Sequence, residues 1–241
     1  MQQNDSPAAA PDRETIEEQT QKATAARLSR IDQEFADGFS LIGKYNDTVT
    51  IFGSARFTED NPYYQQARDI AHALSDEGYT IVTGGGGGIM EAGNRGAVEA
   101  DGHSIGLNIK LPHEQSLNTY ATDSLAFRYF FTRKVILTYD ARAYLYFPGG
   151  YGTLDEFFEV ITLIQTKKMP PAPIILVGSE FWTGLDMFIR TYLLDHTKAI
   201  GPNDQDLYTI TDDIQVIKAV VNHHRDSASA FTATEQEPLE A

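Results

Sequence analysis

The chain contains no cysteine. Disulfides, thiolate metal ligands and a cysteine nucleophile are therefore excluded, and the absence fits any redox compartment. No apolar run approaches the roughly 18 residues that a membrane span needs. The first 13 residues are polar and carry no apolar signal-peptide core, so a cytoplasmic soluble protein is expected. Cations are scarce: 19 Lys and Arg stand against 34 Asp and Glu, a net charge of −15. Such acidity argues against nonspecific binding to nucleic acid or anionic membranes, yet says nothing against a small anion in a local pocket. Two nucleotide fingerprints are also missing. No G-x-G-x-x-G follows the first strand, no acidic residue closes a second strand to meet an NAD ribose, and no G-x-x-x-x-G-K-[ST] occurs. A smaller phosphorylated ligand, such as a mononucleotide, is what remains. The six histidines, at 72, 103, 113, 196, 223 and 224, show no metal-ligand spacing, and no metal site is expected.

What is present suits one domain with a full core: 241 residues, 41% of them hydrophobic. Residues 1–13 and 226–241 are rich in small and polar residues and read as disordered tails. Residues 14–225 form a single domain. It opens with a helix over 14–37, sparse in apolar positions and so expected on the outside. Strands are expected at Thr48–Phe52, Thr80–Thr83, Ser104–Leu107, Ala143–Phe147, Ile174–Val177 and Tyr208–Ile210. Between them lie helices over 62–76, 89–100 and 130–139, another opening at 148–153, and two after Phe181 and Asp212. Gly78 fits the stop of the helix before it. Alternating short β-branched strands and helices predict a Rossmann-like, doubly wound parallel sheet with helices on both faces, plus the N-terminal helix.

Three strands end in small-residue loops: Gly53-Ser54-Ala55, Gly84 through Gly88, and Pro148-Gly149-Gly150-Tyr151-Gly152. A parallel sheet brings all three to one carboxyl edge, around the crevice where the winding reverses. The last loop opens a helix, where bare N–H groups and the macrodipole favour a phosphate. Thr153 and Glu156, three apart, also read as a capping box that merely starts this helix. Few ionisable residues lie near this edge: Arg56, Glu91, Arg133-Lys134 and Asp155-Glu156. Glu91 and Asp155 also read as first-turn acids, and Arg133 and Lys134 as a solvated face.

The segments Gly84-Gly85-Gly86-Gly87-Gly88-Ile89-Met90-Glu91, Phe131-Thr132-Arg133-Lys134 and Pro148 through Glu156 resemble, in order, three motifs of the LOG ("Lonely Guy") phosphoribohydrolases, long labelled lysine decarboxylases. The similarity runs from about Val49 to Val221. It implies a Rossmann-like fold, usually dimeric, and hydrolysis of the N-glycosidic bond of a purine nucleoside 5′-monophosphate such as AMP or an N6-substituted, cytokinin-type AMP. It assigns Arg133 and Glu156 as the catalytic pair. Ser54, Gly85, Gly86, Gly88, Met90, Lys134, Gly149, Gly150, Tyr151, Gly152 and Thr153 become substrate-binding. It implies no metal and no organic cofactor. Gly87 departs from the pattern, where many members have proline or another residue. Arg133 would either hold Glu156 ionised and in place or bind substrate oxygens. The alternative is a carrier for a phosphorylated ligand such as molybdenum cofactor, without turnover. A true decarboxylase would need a Schiff-base lysine for pyridoxal phosphate, and Lys134 alone could serve. A homodimer, or a multiple of it, is expected, because Phe157, Phe158, Ile161 and Ile164 give the motif helix a broad apolar face.

Overall fold

The computed structural model describes residues 13–110 and 117–232. The rest of the two expected tails, 1–12 and 233–241, lies outside the described residues. In chain order the elements are α1 (Arg13–Ile42), β1 (Thr48–Phe52), α2 (Pro62–Ser75), β2 (Thr80–Thr83), α3 (Ile89–Glu99), β3 (Ser104–Ile109) and β4 (Asp123–Phe127). Then come α4 (Phe130–Leu137), β5 (Ala141–Tyr146), α5 (Tyr151–Gln165), β6 (Ile174–Leu176), α6 (Ser179–Phe188), β7 (Tyr208–Ile210) and α7 (Ile214–Thr232). The final helix runs on past 226, where a tail was expected to begin.

The strands form one sheet in the order β4-β3-β2-β1-β5-β6-β7, and every neighbouring pair is parallel. Winding therefore runs outward from β1 through β4, then restarts at β5 on β1's other side. The crevice between β1 and β5 is the switch point at which such sheets bind ligands. The period-2 pleat divides the core. Val49, Ile51, Ile81, Leu145 and Ile175 pack with α2, α3 and α7. Phe52, Val82, Tyr146, Ile174 and Leu176 pack with α1, α4, α5 and α6.

Four departures from expectation have physical causes. β4 was missed because Asp, Ser and Ala carry little β-propensity, and its burial merely alternates at the sheet edge. α1 continues to Ile42 because its last turns dock: Leu41 and Ile42 are buried. A Cβ at Gly38 would stand 2.5 Å from Ile136 Cγ1, so α1 and α4 touch along this glycine. The motif helix spends part of its apolar face on its own sheet, since Phe157 and Ile164 are buried and Phe158 is exposed. The capping box does not form: α5 begins at Tyr151 with Gly150 as N-cap, so Thr153 and Glu156 both lie inside the helix.

Loop positions depend on a buried polar network around Asn94. Its Oδ1 accepts from Thr83 Oγ1 (2.6 Å) and Asn118 Nδ2 (2.9 Å), while its Nδ2 donates to Ser104 Oγ (2.7 Å). Asn118 in turn meets both Gly85 and Gly86 carbonyls, through its backbone N–H and its side chain. Asn94→Ala leaves several buried groups without partners and is expected to cost about 2–4 kcal/mol. Urea unfolding followed by fluorescence of Trp182, the single tryptophan, should show a lower midpoint at an unchanged slope.

Candidate active site

The carboxyl ends of β1, β3, β5 and β6, with residues of α3, α4 and α5, enclose a cleft of about 1250 Å³. Ser54 stitches its walls together. Its N–H donates to Pro148 O and its carbonyl accepts from Ile89 N, both at 3.0 Å, so three loops meet on one residue. At Gly88, with φ +66°, a Cβ would fall 2.2 Å from Ser54 O. Gly88 therefore serves the seam between two loops, where backbones touch, while Gly85 lies against Gly106 of β3 and Leu117; neither they nor Gly86 line the cleft. Of the sequence-predicted site residues, Ser54, Met90, Arg133, Glu156 and the run Gly149–Thr153 do line it.

The run after β5 presents free backbone donors to the cleft. No side chain caps α5, and its first backbone bond is Leu154 N–H to Gly150 O at 3.1 Å. The N–H groups of Tyr151, Gly152 and Thr153 thus have no intrahelical acceptor at the cleft wall. Gly149 is needed for packing, since its Cβ would lie 2.1 Å from Thr153 Oγ1, whereas Gly150 and Gly152 have open space where a Cβ would be. The glycines at 150 and 152 keep that space clear for a ligand to approach the backbone.

Arg133 and Glu156 come together from α4 and α5. The guanidinium donates from Nε to Leu107 O (2.6 Å) and from a terminal nitrogen to Gly84 O (3.3 Å). Its other terminal nitrogen stands 3.9 Å from Glu156 Oε1, with the side chains only 10% and 16% exposed. Burial raises the Glu156 carboxyl to about 7, and Arg133 offsets only part of that rise. Burial lowers Arg133 from its usual value, though a guanidinium stays protonated. Arg133 acts in the direction expected of it, favouring the ionised carboxylate, but from 3.9 Å it does not outweigh desolvation. The Tyr146 hydroxyl donates to the Glu156 carbonyl at 3.1 Å and fixes that turn.

Lys134 does not reach the cleft. Its ammonium is held by Asp155 (2.8 Å) and Glu159 (3.0 Å), tying α4 to α5. Sequence reading put Arg56 near this edge without giving it a site role, and it lines the cleft, as do the unpredicted Phe57, Tyr63, Phe130, Glu180 and Phe181. The signal for Glu180 and Phe181 was available: they follow β6, which neighbours β5. Among the described residues, no group of His, Asp and Glu side chains could hold a metal ion, and no helix is long and apolar enough to cross a membrane.

A profile of the family described as "Possible lysine decarboxylase" matches residues 90–220. A probable cytokinin riboside 5′-monophosphate phosphoribohydrolase, LOGL5 of Oryza sativa subsp. japonica, is 31% identical over 122 residues, 49% of each chain. The chain belongs to the LOG family. An uncharacterized protein of Archaeoglobus fulgidus is 29% identical over 133 residues, 54% of this chain and 83% of that one. The match spans about half the length of the rice relative. The fold is shared with the molybdenum cofactor carrier protein of Chlamydomonas reinhardtii, at a TM-score of 0.55 and 19% identity over 75% of this chain and 99% of that one. Decarboxylase chemistry with pyridoxal phosphate does not fit this LOG cleft. Among the described residues no lysine lines it, and Lys134 is committed to two carboxylates.

Two expected outcomes follow from the pair. A Cβ at Gly84 would lie 2.1 Å from the Arg133 guanidinium and 2.7 Å from Met90 Sδ. Gly84→Ala should therefore displace Arg133, and carboxyl NMR should find Glu156 titrating above 7. The second concerns stability. An unfolded Glu156 ionises near 4.5 and the folded one near 7, so the folded state keeps its proton longer. Its contribution is complete below the unfolded value and is lost as pH rises through 7. Between pH 4 and 8, the stability of Glu156→Gln relative to wild type should rise by up to about 3 kcal/mol. Unchanged relative stability over that range would remove the burial penalty.

Proposed function

We propose that the protein hydrolyses the N-glycosidic bond of purine nucleoside 5′-monophosphates, AMP or an N6-substituted AMP, to free base and ribose 5-phosphate. The observation that carries this reading is a buried carboxylate, Glu156, beside a buried cation and five residues along the helix whose bare N-terminus seats an anion. A 5′-phosphate on Gly149–Thr153 brings the ribose toward Glu156. Cleavage of the ribosyl–base bond builds positive charge on the sugar, which the carboxylate stabilises. Water adds to C1′ and gives a proton to Glu156, while the base leaves with the bonding pair and takes a proton from solvent. A carboxyl near 7 is matched to that base role. Two of the three Arg133 guanidinium nitrogens are committed to carbonyls, which favours action on Glu156 over binding of substrate oxygens. Arg56 is exposed at the same cleft, with no carboxylate paired to it among the described residues, and supplies countercharge to the phosphate. The names of the plant relatives support the same chemistry. The buried Arg133–Glu156 pair favours an enzyme over a carrier, which has no need of it.

A panel of nucleoside monophosphates, with released base measured by chromatography, tests this. AMP or its N6-substituted form should be cleaved and adenosine far more slowly, because phosphate binding orients the ribose. Glu156→Gln should lower kcat by roughly 10²-fold or more with AMP affinity nearly unchanged. Arg56→Ala should raise KM for AMP and leave that for adenosine alone. In wild type, kcat should fall as pH drops through about 7. Tight binding of one nucleotide without turnover of any would point to a carrier, and equal kcat/KM for AMP and adenosine would remove phosphate anchoring.

A further inference from the structure

α1 precedes the segment that the family profile matches, 90–220. Its half-buried Glu34 nevertheless reaches the start of α4. Glu34 Oε1 accepts from the backbone N–H of Arg128 at 2.7 Å, and Oε2 accepts from the Tyr129 N–H at 3.4 Å and the Thr132 hydroxyl at 2.6 Å. The N-cap of α4, Tyr129, makes no side-chain capping bond of its own. Glu34 instead ties down the two residues that lead into α4 and the Thr132 side chain of its first turn, from a helix more than 90 residues upstream. A carboxylate belongs there electrostatically, facing the positive end of the helix dipole.

α4 has eight residues, too few to hold a conformation by its own hydrogen bonds. Its orientation comes from what it is tied to. At one end are the Glu34 bonds, the last of them to buried Thr132, the residue before Arg133. One turn along, α1 and α4 press together at Gly38 and Ile136. Across from them, the Arg133 side chain is fastened to Leu107 and Gly84 carbonyls. Slack at the first anchor would move the guanidinium relative to Glu156, which it meets at 3.9 Å, beyond hydrogen-bond distance.

We propose that Glu34 is a positioning residue that holds the first turn of α4, and with it Arg133 against Glu156, making the N-terminal helix a working part of the hydrolytic site. This rests on the proposed N-glycosidic hydrolysis. The charged and titratable groups facing Glu156 are Arg133 and Lys134 from α4, Asp155 and Glu159 from α5, and Tyr146 from β5. Both groups carried by α4 pull the Glu156 carboxyl down, and both α5 neighbours push it up. Loosening α4 therefore raises the pH at which Glu156 ionises.

The experiment compares Glu34→Ala, Glu34→Gln and Leu74→Ala. Leu74 is a buried core residue of α2, in the core on the other face of the sheet from α1 and α4, and its truncation weakens the fold without loosening α4. Glu34→Ala should lower kcat for AMP roughly 10-fold, with a small change in KM, because a misplaced catalytic group costs rate and not binding. Its acid limb of kcat should move to higher pH, toward that of Gly84→Ala. Glu34→Gln keeps one acceptor oxygen and should fall between. Leu74→Ala should lose melting temperature with kcat and acid limb unchanged. A Glu34→Ala protein with lowered melting temperature but wild-type kcat and acid limb overturns the proposal and leaves Glu34 a structural tie. Should Glu34→Ala fail to fold, Glu34→Gln decides by the same two readouts. If wild type hydrolyses no nucleotide, the proposed function fails. Carboxyl NMR of Glu156 in the same variants then still decides the positioning role, with an unchanged titration overturning it.

Discussion

Arg133 is a cation that folding takes out of water, and much of the site is arranged around satisfying it. A buried guanidinium destabilises the fold by several kcal/mol unless its N–H groups find partners. Two find carbonyls, Leu107 within β3 and Gly84 just after β2. A third nitrogen is left toward Glu156. Gly84 has no side chain because the guanidinium and Met90 occupy the room one would need. Met90 lies at the start of α3, which Gly88 allows to pack against Ser54. One side chain thus joins α4 to β3, to the end of β2 and to the carboxylate on α5.

The same burial sets the chemistry of the partner. Glu156 lies in a wall that excludes solvent, so its charged form is disfavoured and Arg133 only partly compensates. The fold gives up stability near neutral pH to keep a carboxylate there. That pattern is common where a group is tuned for proton transfer. Beside it, the donors at the start of α5 are backbone alone, with Gly150 and Gly152 leaving open space over free N–H groups. A strongly acidic chain can still hold a local attraction for an anion: helix N–H groups and dipole, with Arg56 at the same cleft. The excess negative charge elsewhere is screened within about 10 Å at ordinary salt.

Much of the fold was legible in the linear order of residues. Buried parallel strands announce themselves as short β-branched runs, and glycine clusters after them mark where helices begin, so β1, β2 and the start of α5 lay close to where they were expected. β4 was not legible, because an edge strand with alternating burial carries half the apolar signal. The glycine motifs and the Arg133–Glu156 pair were recognisable through family resemblance, and three loops at one edge followed from parallel topology.

Roles were decided by contact. The sequence treats the glycines after β2 and β5 alike. Tertiary structure packs the first group against its neighbours and opens part of the second to the cleft, because only packing shows which missing Cβ would strike backbone and which would face the cleft. Thr153 and Glu156 have the spacing of a capping box, but the helix starts three residues earlier than that box requires. Lys134 has the sequence context of a ligand-binding lysine, yet two carboxylates on α5 claim it. Glu34 looks like one more acid on an exposed helix until α4 is folded against it. Local pattern fixes where a chain turns and which face is apolar. Burial, and the partners a side chain meets once buried, depend on residues far away in sequence, and these set the charge state of Glu156 and the reach of Arg133.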